Sequence, residues 1–247
     1  MKIGVLTIGA ELLNGARIDT NSNWISKTVI DHGGMVEFNI STKDNQSSII
    51  KALDFLLDQS IDMIIMTGGL GPTHDDITTE SIANAFKKKL KKDDNAIRLL
   101  KNHYKNSNIE FNEARQKMAI IPEGAELIDN PVSVAPGFKI KNVFVFAGVP
   151  KIMQGMFHSI KNQLTGGIFI KSKTITCNVG EGLLASDLKI LENDFTDVKI
   201  GSYPYFNPSG FGTSIVIRSE NVEKIDTIIQ KLIIIINKLD GTFKLID

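Results

Sequence analysis

DMIIMTGGLGPTHDDITTE, residues 62–80, decides the reading of the fold. It opens as a nearly continuous apolar run, the pattern of a central parallel strand covered on both faces. The run stops at Gly68-Gly69, and Gly71-Pro72 turns the chain. The following ITTE then opens a helix expected to continue to about Leu90, with Ile82, Ala83, Ala85 and Phe86 facing inward. A loop of this composition, between a strand and a helix, leaves backbone N–H groups available to an anion and lets a ligand approach the backbone closely. In a parallel sheet it also lies at a strand's carboxyl end, where ligands bind.

Outward from this stretch, strands and helices alternate. Residues 2–9 read as a strand, 20–32 as a helix capped by Asp19 or Thr20 and stopped by Gly33-Gly34, 35–42 as a strand and 47–57 as a helix. Beyond the loop helix, further helices are expected at 95–104 and 113–118, short strands at 125–128 and 142–148, and a helix at 150–163. These elements make a three-layer α/β/α domain with a mostly parallel sheet, residues 1–167, that ends at a linker, Thr165-Gly166-Gly167. A small α+β domain follows, residues 168–247, with strands at 173–179, 198–203 and 213–219 and helices at 183–192 and 221–239. Trp24 is expected in the core or at an interface, and the aromatic turn around Tyr203, Pro204, Tyr205 and Phe206 is expected to pack.

Bulk properties narrow the function. The 28 basic and 28 acidic residues cancel, so no overall field draws the chain to nucleic acid or an anionic membrane. Cys177 is the sole cysteine, which excludes an intramolecular disulfide and a thiolate zinc cluster and suits a reducing compartment. The N-terminal IGVLTIGA meets Glu11 too soon to be a signal sequence, and LIIIIN (232–237) is far too short to span a membrane. The expectation is a cytoplasmic protein.

Polar clusters sit at three predicted strand ends. GAELLNGARIDTN (9–21) contains Glu11, Asp19 and Asn21, TKDNQ (42–46) contains Asp44, and the glycine loop contains Asp75 and Asp76. Taken singly, each is a cap or turn residue. In a parallel sheet all three loops open on one edge, so their acidic groups can converge on one pocket. A carboxylate against a phosphate site is repulsive without a cation, so a functional Asp76 requires a divalent metal.

GAELLNG with Asp19-Thr20-Asn21, then TGGLGPTHDDITTE, then NEARQKMAIIPEGAELIDNPVSVAPGF together resemble the CinA family of competence-damage-inducible proteins. VGEGLLASDL and KIGSYPYFNPSG extend the resemblance through the small domain, which is similar to the KH-like domain of that family. The resemblance implies a molybdopterin-binding-like first domain. CinA proteins also carry a nicotinamide-mononucleotide amidohydrolase domain, for which this chain stops too early, so deamidation is not expected.

What the resemblance implies in its place is metal-dependent hydrolysis of a pyrophosphate bond, ADP-ribose giving AMP and ribose 5-phosphate, with FAD in the same substrate class. The alternatives are molybdopterin binding or adenylylation, and a non-catalytic nucleotide-binding or RNA-binding protein. For RNA, the loop at Gly180-Glu181-Gly182 is acidic where a KH loop is basic.

The residues implied follow the motifs. Asp76 and Asp44 are the catalytic pair and, with Glu11, the ligands of magnesium, manganese or cobalt; a monovalent cation is also compatible. Substrate contacts fall to Gly9, Glu11, Thr67, Gly68, Gly69, Gly71, Thr73, Asn130, Ser133, Pro136 and Gly137, with Pro131, Pro136 and Gly137 also shaping turns. Homo-oligomers are implied as well. The chain departs from the family pattern at Ser133-Val134, where a glycine and a threonine are usual, at Ala147, usually proline, and at Ile152, usually an acid.

Overall fold

The computed structural model describes residues 1–106, 109–164, 170–207 and 210–246. The chain divides into two compact units, Met1–Gly167 and Ile168–Asp247. The expected linker, Thr165-Gly166-Gly167, lies outside the described residues.

In the first unit six strands form one sheet: β1 (Lys2–Ile8), β2 (Met35–Thr42), β3 (Met63–Thr67), β6 (Glu126–Ile128), β7 (Gly137–Ile140) and β8 (Val143–Phe146), in the order β2-β1-β3-β8-β7-β6. The pairings β1·β2, β1·β3 and β3·β8 are parallel, and β7 and β6 add an antiparallel edge. Period-two alternation sends neighbouring side chains into opposite layers. Ile3, Val5, Met63, Ile65, Phe144 and Phe146 pack with α2 (Thr20–Asp31) and α7 (Pro150–Ile160). Leu6, Ile8, Ile64, Met66, Val143 and Val145 pack with α3 (Gln46–Asp58) and α4 (Thr78–Ala85). The unit is a three-layer α/β domain with a mostly parallel sheet. Trp24, on α2, packs against the first of these clusters, edge-on to Phe157 at 5.2 Å.

Two features depart from the expectations. The helix after the glycine loop ends at Ala85, not near Leu90, because Lys87 adopts a left-handed conformation (φ 52°). Lys87 N–H donates to Asn84 O (3.1 Å) and Lys88 N–H to Ala83 O (2.8 Å), the bond pattern of a Schellman cap. Leu90–Lys92 is then a strand, β4, paired antiparallel with β5 (Ile120–Pro122). Gly137, read as a turn residue, begins β7, where a side chain would collide with the Val145 carbonyl. The remaining helices of this unit are short α1 (Ala10–Leu13), α5 (Asp94–Asn106) and α6 (Glu113–Lys117).

In the second unit β9 (Lys171–Cys177), β10 (Lys199–Asn207), β11 (Gly210–Ser219) and β12 (Phe243–Ile246) form an antiparallel sheet, order β10-β11-β9-β12. Helices α8 (Glu181–Asp194) and α9 (Val222–Lys238) bury Leu184, Leu188, Ile225, Ile228 and Leu232 in one cluster with Ile175, Cys177, Ile215 and Ile217. The aromatic stretch belongs to β10, and it does not pack as a whole: Tyr205 OH donates to Cys177 O (3.1 Å), whereas Phe206 is 89% exposed. Among the described residues no helix is long and apolar enough to cross a membrane.

Because Ile64 and Ile65 face different layers, removing a methylene from each should act independently. Ile64→Val and Ile65→Val are each expected to cost about 0.5–1.5 kcal/mol, and the double variant their sum within about 0.5 kcal/mol. Urea denaturation of the three variants measures this.

Candidate functional site

Strand β1 is followed by β2 on one side, and the chain then returns to place β3 on the other. The crevice outside the carboxyl ends of β1 and β3 is therefore the sheet's switch point. A cavity of about 520 Å³ opens there, a volume within the range of small-molecule sites. It gathers residues from all three polar loops. Gly9, Glu11, Asp19 and Asn21 come from the loop after β1, Asp44 from the end of β2, and Thr67, Gly68, Gly69, Gly71, Asp75 and Asp76 from β3 and its loop. Ser133 and Pro136 line it from the PVSVAPG segment. Thr73, Asn130 and Gly137, assigned to the ligand by resemblance, do not line it.

The glycine loop is shaped by close approach. Gly68 has φ 112°, and a Cβ on it would run into the Ile8 carbonyl of β1; Gly69 has φ 65°, and a Cβ there would strike the Thr78 hydroxyl. Only glycine meets both the conformation and the space. The Gly68 N–H donates to Phe146 O (3.2 Å), so Gly68 serves the fold more than a ligand. Thr78 at the start of α4 closes the turn, its hydroxyl donating to Gly68 O (2.9 Å) and its N–H to Gly69 O (3.2 Å). Among the described residues the N–H groups of Gly69, Leu70 and Gly71 donate to no protein group. Three consecutive amides without partners beside a helix start form a ready anion site.

The carboxylates are held by this backbone. Asp44 Oδ2 accepts from Ala10 N–H (2.8 Å), so it tethers the end of β2 to the first turn of α1, whose N-cap Gly9 has no side chain to offer. Asp76 folds back over Gly71, and its Oδ2 accepts from Thr73 N–H (2.8 Å) and from the Thr73 hydroxyl (2.5 Å). The same hydroxyl lies 2.5 Å from Asp75 Oδ1. Thr73 is thus a bridge between two carboxylates.

The Thr73 hydroxyl is also the main reason that the Asp75 carboxyl titrates below its ordinary 3.8. Its own backbone amide adds to this, burial opposes it, and the charges of His74 and Lys117 lower the value least. Lys117, which sequence reasoning passed over, anchors the loop: Nζ donates to the carbonyls of Thr73 (2.8 Å) and Asp76 (2.8 Å). Its place in NEARQKMA was the available signal.

Asn21, on α2, ties the ends of β3 and β8 together. Its Nδ2 donates to Gly148 O (2.8 Å) and to Thr67 Oγ1 (3.1 Å), and Thr67 Oγ1 donates to Ala147 O (2.8 Å). The Thr67 hydroxyl, expected to touch the ligand, is committed to this network. Because Gly148 O needs a donor, the amide orientation is fixed. Asn21 Oδ1 is left buried without a partner among the described residues, as is Asp19 Oδ2, while Asp19 Oδ1 caps α2 at Ser22 N–H (2.9 Å).

Asn130 organises the PVSVAPG segment from within. Its Nδ2 donates to Ser133 Oγ (2.7 Å) and Ala135 O (2.6 Å), and its Oδ1 accepts from Val132 and Ser133 N–H (3.1 Å each). Val134 in that loop has φ 68°, a strained value for a β-branched residue.

The donor set bears on the implied metal. Among the described residues no three Asp, Glu, His or Cys side chains lie together as a metal cage. A magnesium-like ion, however, commonly takes one or two protein carboxylates and completes its shell with water and ligand phosphates. Asp44 and Asp76 each keep one carboxylate oxygen outside the hydrogen bonds described, which fits a cation shared with a phosphate and not an all-protein site.

Comparison with known proteins places this architecture. The family described as probable molybdopterin binding domain matches residues 4–167. A CinA-like protein of Fusobacterium nucleatum is 38% identical over 244 residues, 94% of this chain, and the chain spans 58% of that relative's length. The crystal structure of the protein CinA from Thermoplasma acidophilum superposes with a TM-score of 0.61 at 32% identity, covering 66% of this chain and 99% of that one. The chain belongs to the CinA family. This CinA-family chain is also 31% identical over 240 residues to protein PH0439 of Pyrococcus horikoshii, covering 92% of each. Its second unit matches the FAD synthase middle domain over residues 170–238.

Two expectations follow from the site's geometry. In Thr73→Val, the Asp75 carboxyl should titrate higher, toward 3.8, as followed by carbon-detected NMR. The depressed value means that Asp75 contributes stability above its unfolded-state pKa and loses it as pH falls through the folded value, so the variant should be less sensitive to pH in that acidic window. Val134→Gly should stabilise the protein by roughly 0.5–1 kcal/mol in urea denaturation, the relief of left-handed strain less the entropy that glycine gains on unfolding.

Proposed function

We propose that the first unit binds a phosphorylated heterocycle of the molybdopterin or nucleotide class, with a phosphate on the Gly69, Leu70 and Gly71 amides. The observation that carries this reading is the set of three consecutive amides without protein partners among the described residues, at the switch point of the sheet. The family match over residues 4–167 supports the molybdopterin side of the class. In this reading Thr78 and Lys117 hold the loop in shape, so its amides need no reorganisation when the anion arrives.

A second, hydrolytic reading is favoured by the carboxylates that share the cavity with the loop. Asp44 and Asp76 would each lend their open carboxylate oxygen to a divalent ion held together with the ligand's phosphates, while Glu11, expected as a third ligand, is not grouped with them as a metal cage among the described residues. When bound, such an ion neutralises charge on phosphate oxygens and favours attack by water on phosphorus. Addition of water across the pyrophosphate bridge of ADP-ribose gives AMP and ribose 5-phosphate. The chain's own part is to orient: the loop amides fix one phosphate, and the Thr73 N–H and hydroxyl fix the Asp76 carboxylate. FAD presents the same bridge.

The test is product analysis after incubation with ADP-ribose or FAD and magnesium, manganese or cobalt, beside titration calorimetry with inorganic pyrophosphate. Metal-dependent AMP release should fall on the order of 100-fold in Asp76→Asn, which keeps an oxygen for the Thr73 N–H. Pyrophosphate binding without release from either substrate would leave the binding reading and remove the hydrolytic one. Absence of pyrophosphate binding would remove both.

A further inference from the structure

The walls of the cavity differ in chemistry. The loops after β1, β2 and β3 bring amides and carboxylates together with Leu12 and Leu70, and the segments at the starts of α2 and α7 bring Ile18, Val149 and Ile152 beside Arg17 and Asp19. Ile18 is 87% exposed and Val149 57% exposed, so neither is needed to build the core. Single exposed apolar residues are ordinary. Two of them lining one cavity, beside the half-buried Ile152, form a local apolar surface with a ligand site next to it.

Local stability does not account for Val149. It occupies the N-cap of α7 and makes no side-chain capping bond there. Serine, threonine, aspartate or asparagine at such a position typically adds about 0.5–2 kcal/mol. Ile18 immediately precedes Asp19, the N-cap of α2, and its side chain is almost wholly in water. The bond from Asn21 Nδ2 to Gly148 O (2.8 Å) ties the first turn of α2 to the residue before Val149, which holds the two apolar side chains at the same cavity.

We infer that Ile18, Val149 and Ile152 are the seat of the ligand's flat heterocyclic ring, and that they set affinity for the ring separately from the phosphate. The inference rests on the phosphate reading given above. β-Branched side chains suit the role because they offer apolar surface with little rotamer freedom to lose. Asp44, Asp75 and Asp76 come from the loops after β2 and β3, and Asp19, the carboxylate beside Ile18, is committed to capping α2, which leaves the apolar side chains to meet the ring.

Ile18→Ser and Val149→Ser test this with little risk to the fold, the first being a surface substitution and the second supplying a capping hydroxyl to α7. Titration calorimetry would compare AMP and a pterin monophosphate, which carry rings, with ribose 5-phosphate and inorganic pyrophosphate, which do not. The wild-type chain should bind at least one ring-bearing probe more tightly than ribose 5-phosphate. Each variant should weaken that probe about five- to tenfold and leave both ring-free probes within about twofold. Which ring is preferred tells purine from pterin.

If neither ring improves on ribose 5-phosphate, or if the variants leave the preferred ring unaffected, the seat is overturned and the phosphate reading stands. An equal loss for pyrophosphate also overturns it, because the effect would then not belong to the ring. A wild-type chain that does not bind pyrophosphate overturns the phosphate reading and this inference together.

Discussion

The site depends on how closely three strand ends approach at Gly68. A side chain there would enter the Ile8 carbonyl at the end of β1, and a Cβ on Gly148, just past β8, would lie 3.1 Å from the Gly68 Cα. With no side chain on either glycine, the carboxyl ends of β1, β3 and β8 come together tightly enough for Asn21 to reach across to Thr67 and Gly148. The rest of the cavity is arranged about that closure. The turn that Thr78 seals, the amides that follow it and the carboxylates folded against them take their positions from a backbone that leaves the sheet at this one point.

Binding and stability pull in different directions around this closure. The buried oxygens of Asn21 and Asp19, without partners among the described residues, are each of a kind that costs about 1–3 kcal/mol. Val134 carries a left-handed strain, and α7 begins without a side-chain cap. All of these residues belong to or adjoin the cavity, while the two faces of the sheet are filled by ordinary apolar packing. Local departures from the most stable choice gather where a ligand would be held, and the layers below supply the stability that tolerates them.

Much of this was legible in the sequence because the signals were strong and local. The run MIIMT before two glycines could only be a buried strand, and the turn residues after Leu13, Thr42 and Thr67 marked loops that a parallel sheet must open on one edge. The same local logic failed where the physical cause was not local. Nothing in KKKLKK shows a helix stop, since Lys87 takes the left-handed position usually given to glycine. Strands β4, β5 and β12 are three or four residues long and exist only by pairing with a distant partner. At the site, residue types pointed to hydroxyl contacts from Thr67 and Thr73, yet both hydroxyls are consumed by neighbours. Lys117 escaped notice because its partners are carbonyls 41 and 44 residues away, which no spacing rule connects.

The Asn130 amide carries a consequence for how this family can diverge. Three of its four hydrogen bonds go to main-chain atoms of residues 132, 133 and 135, and only one depends on a side chain, that of Ser133. The loop's path is therefore written largely at a single position, and the side chains at 133 and 134 are released from the duty of holding it. Drift at those two positions can then alter what the cavity meets without dismantling the wall that presents it, so one buried asparagine makes the surrounding loop evolvable.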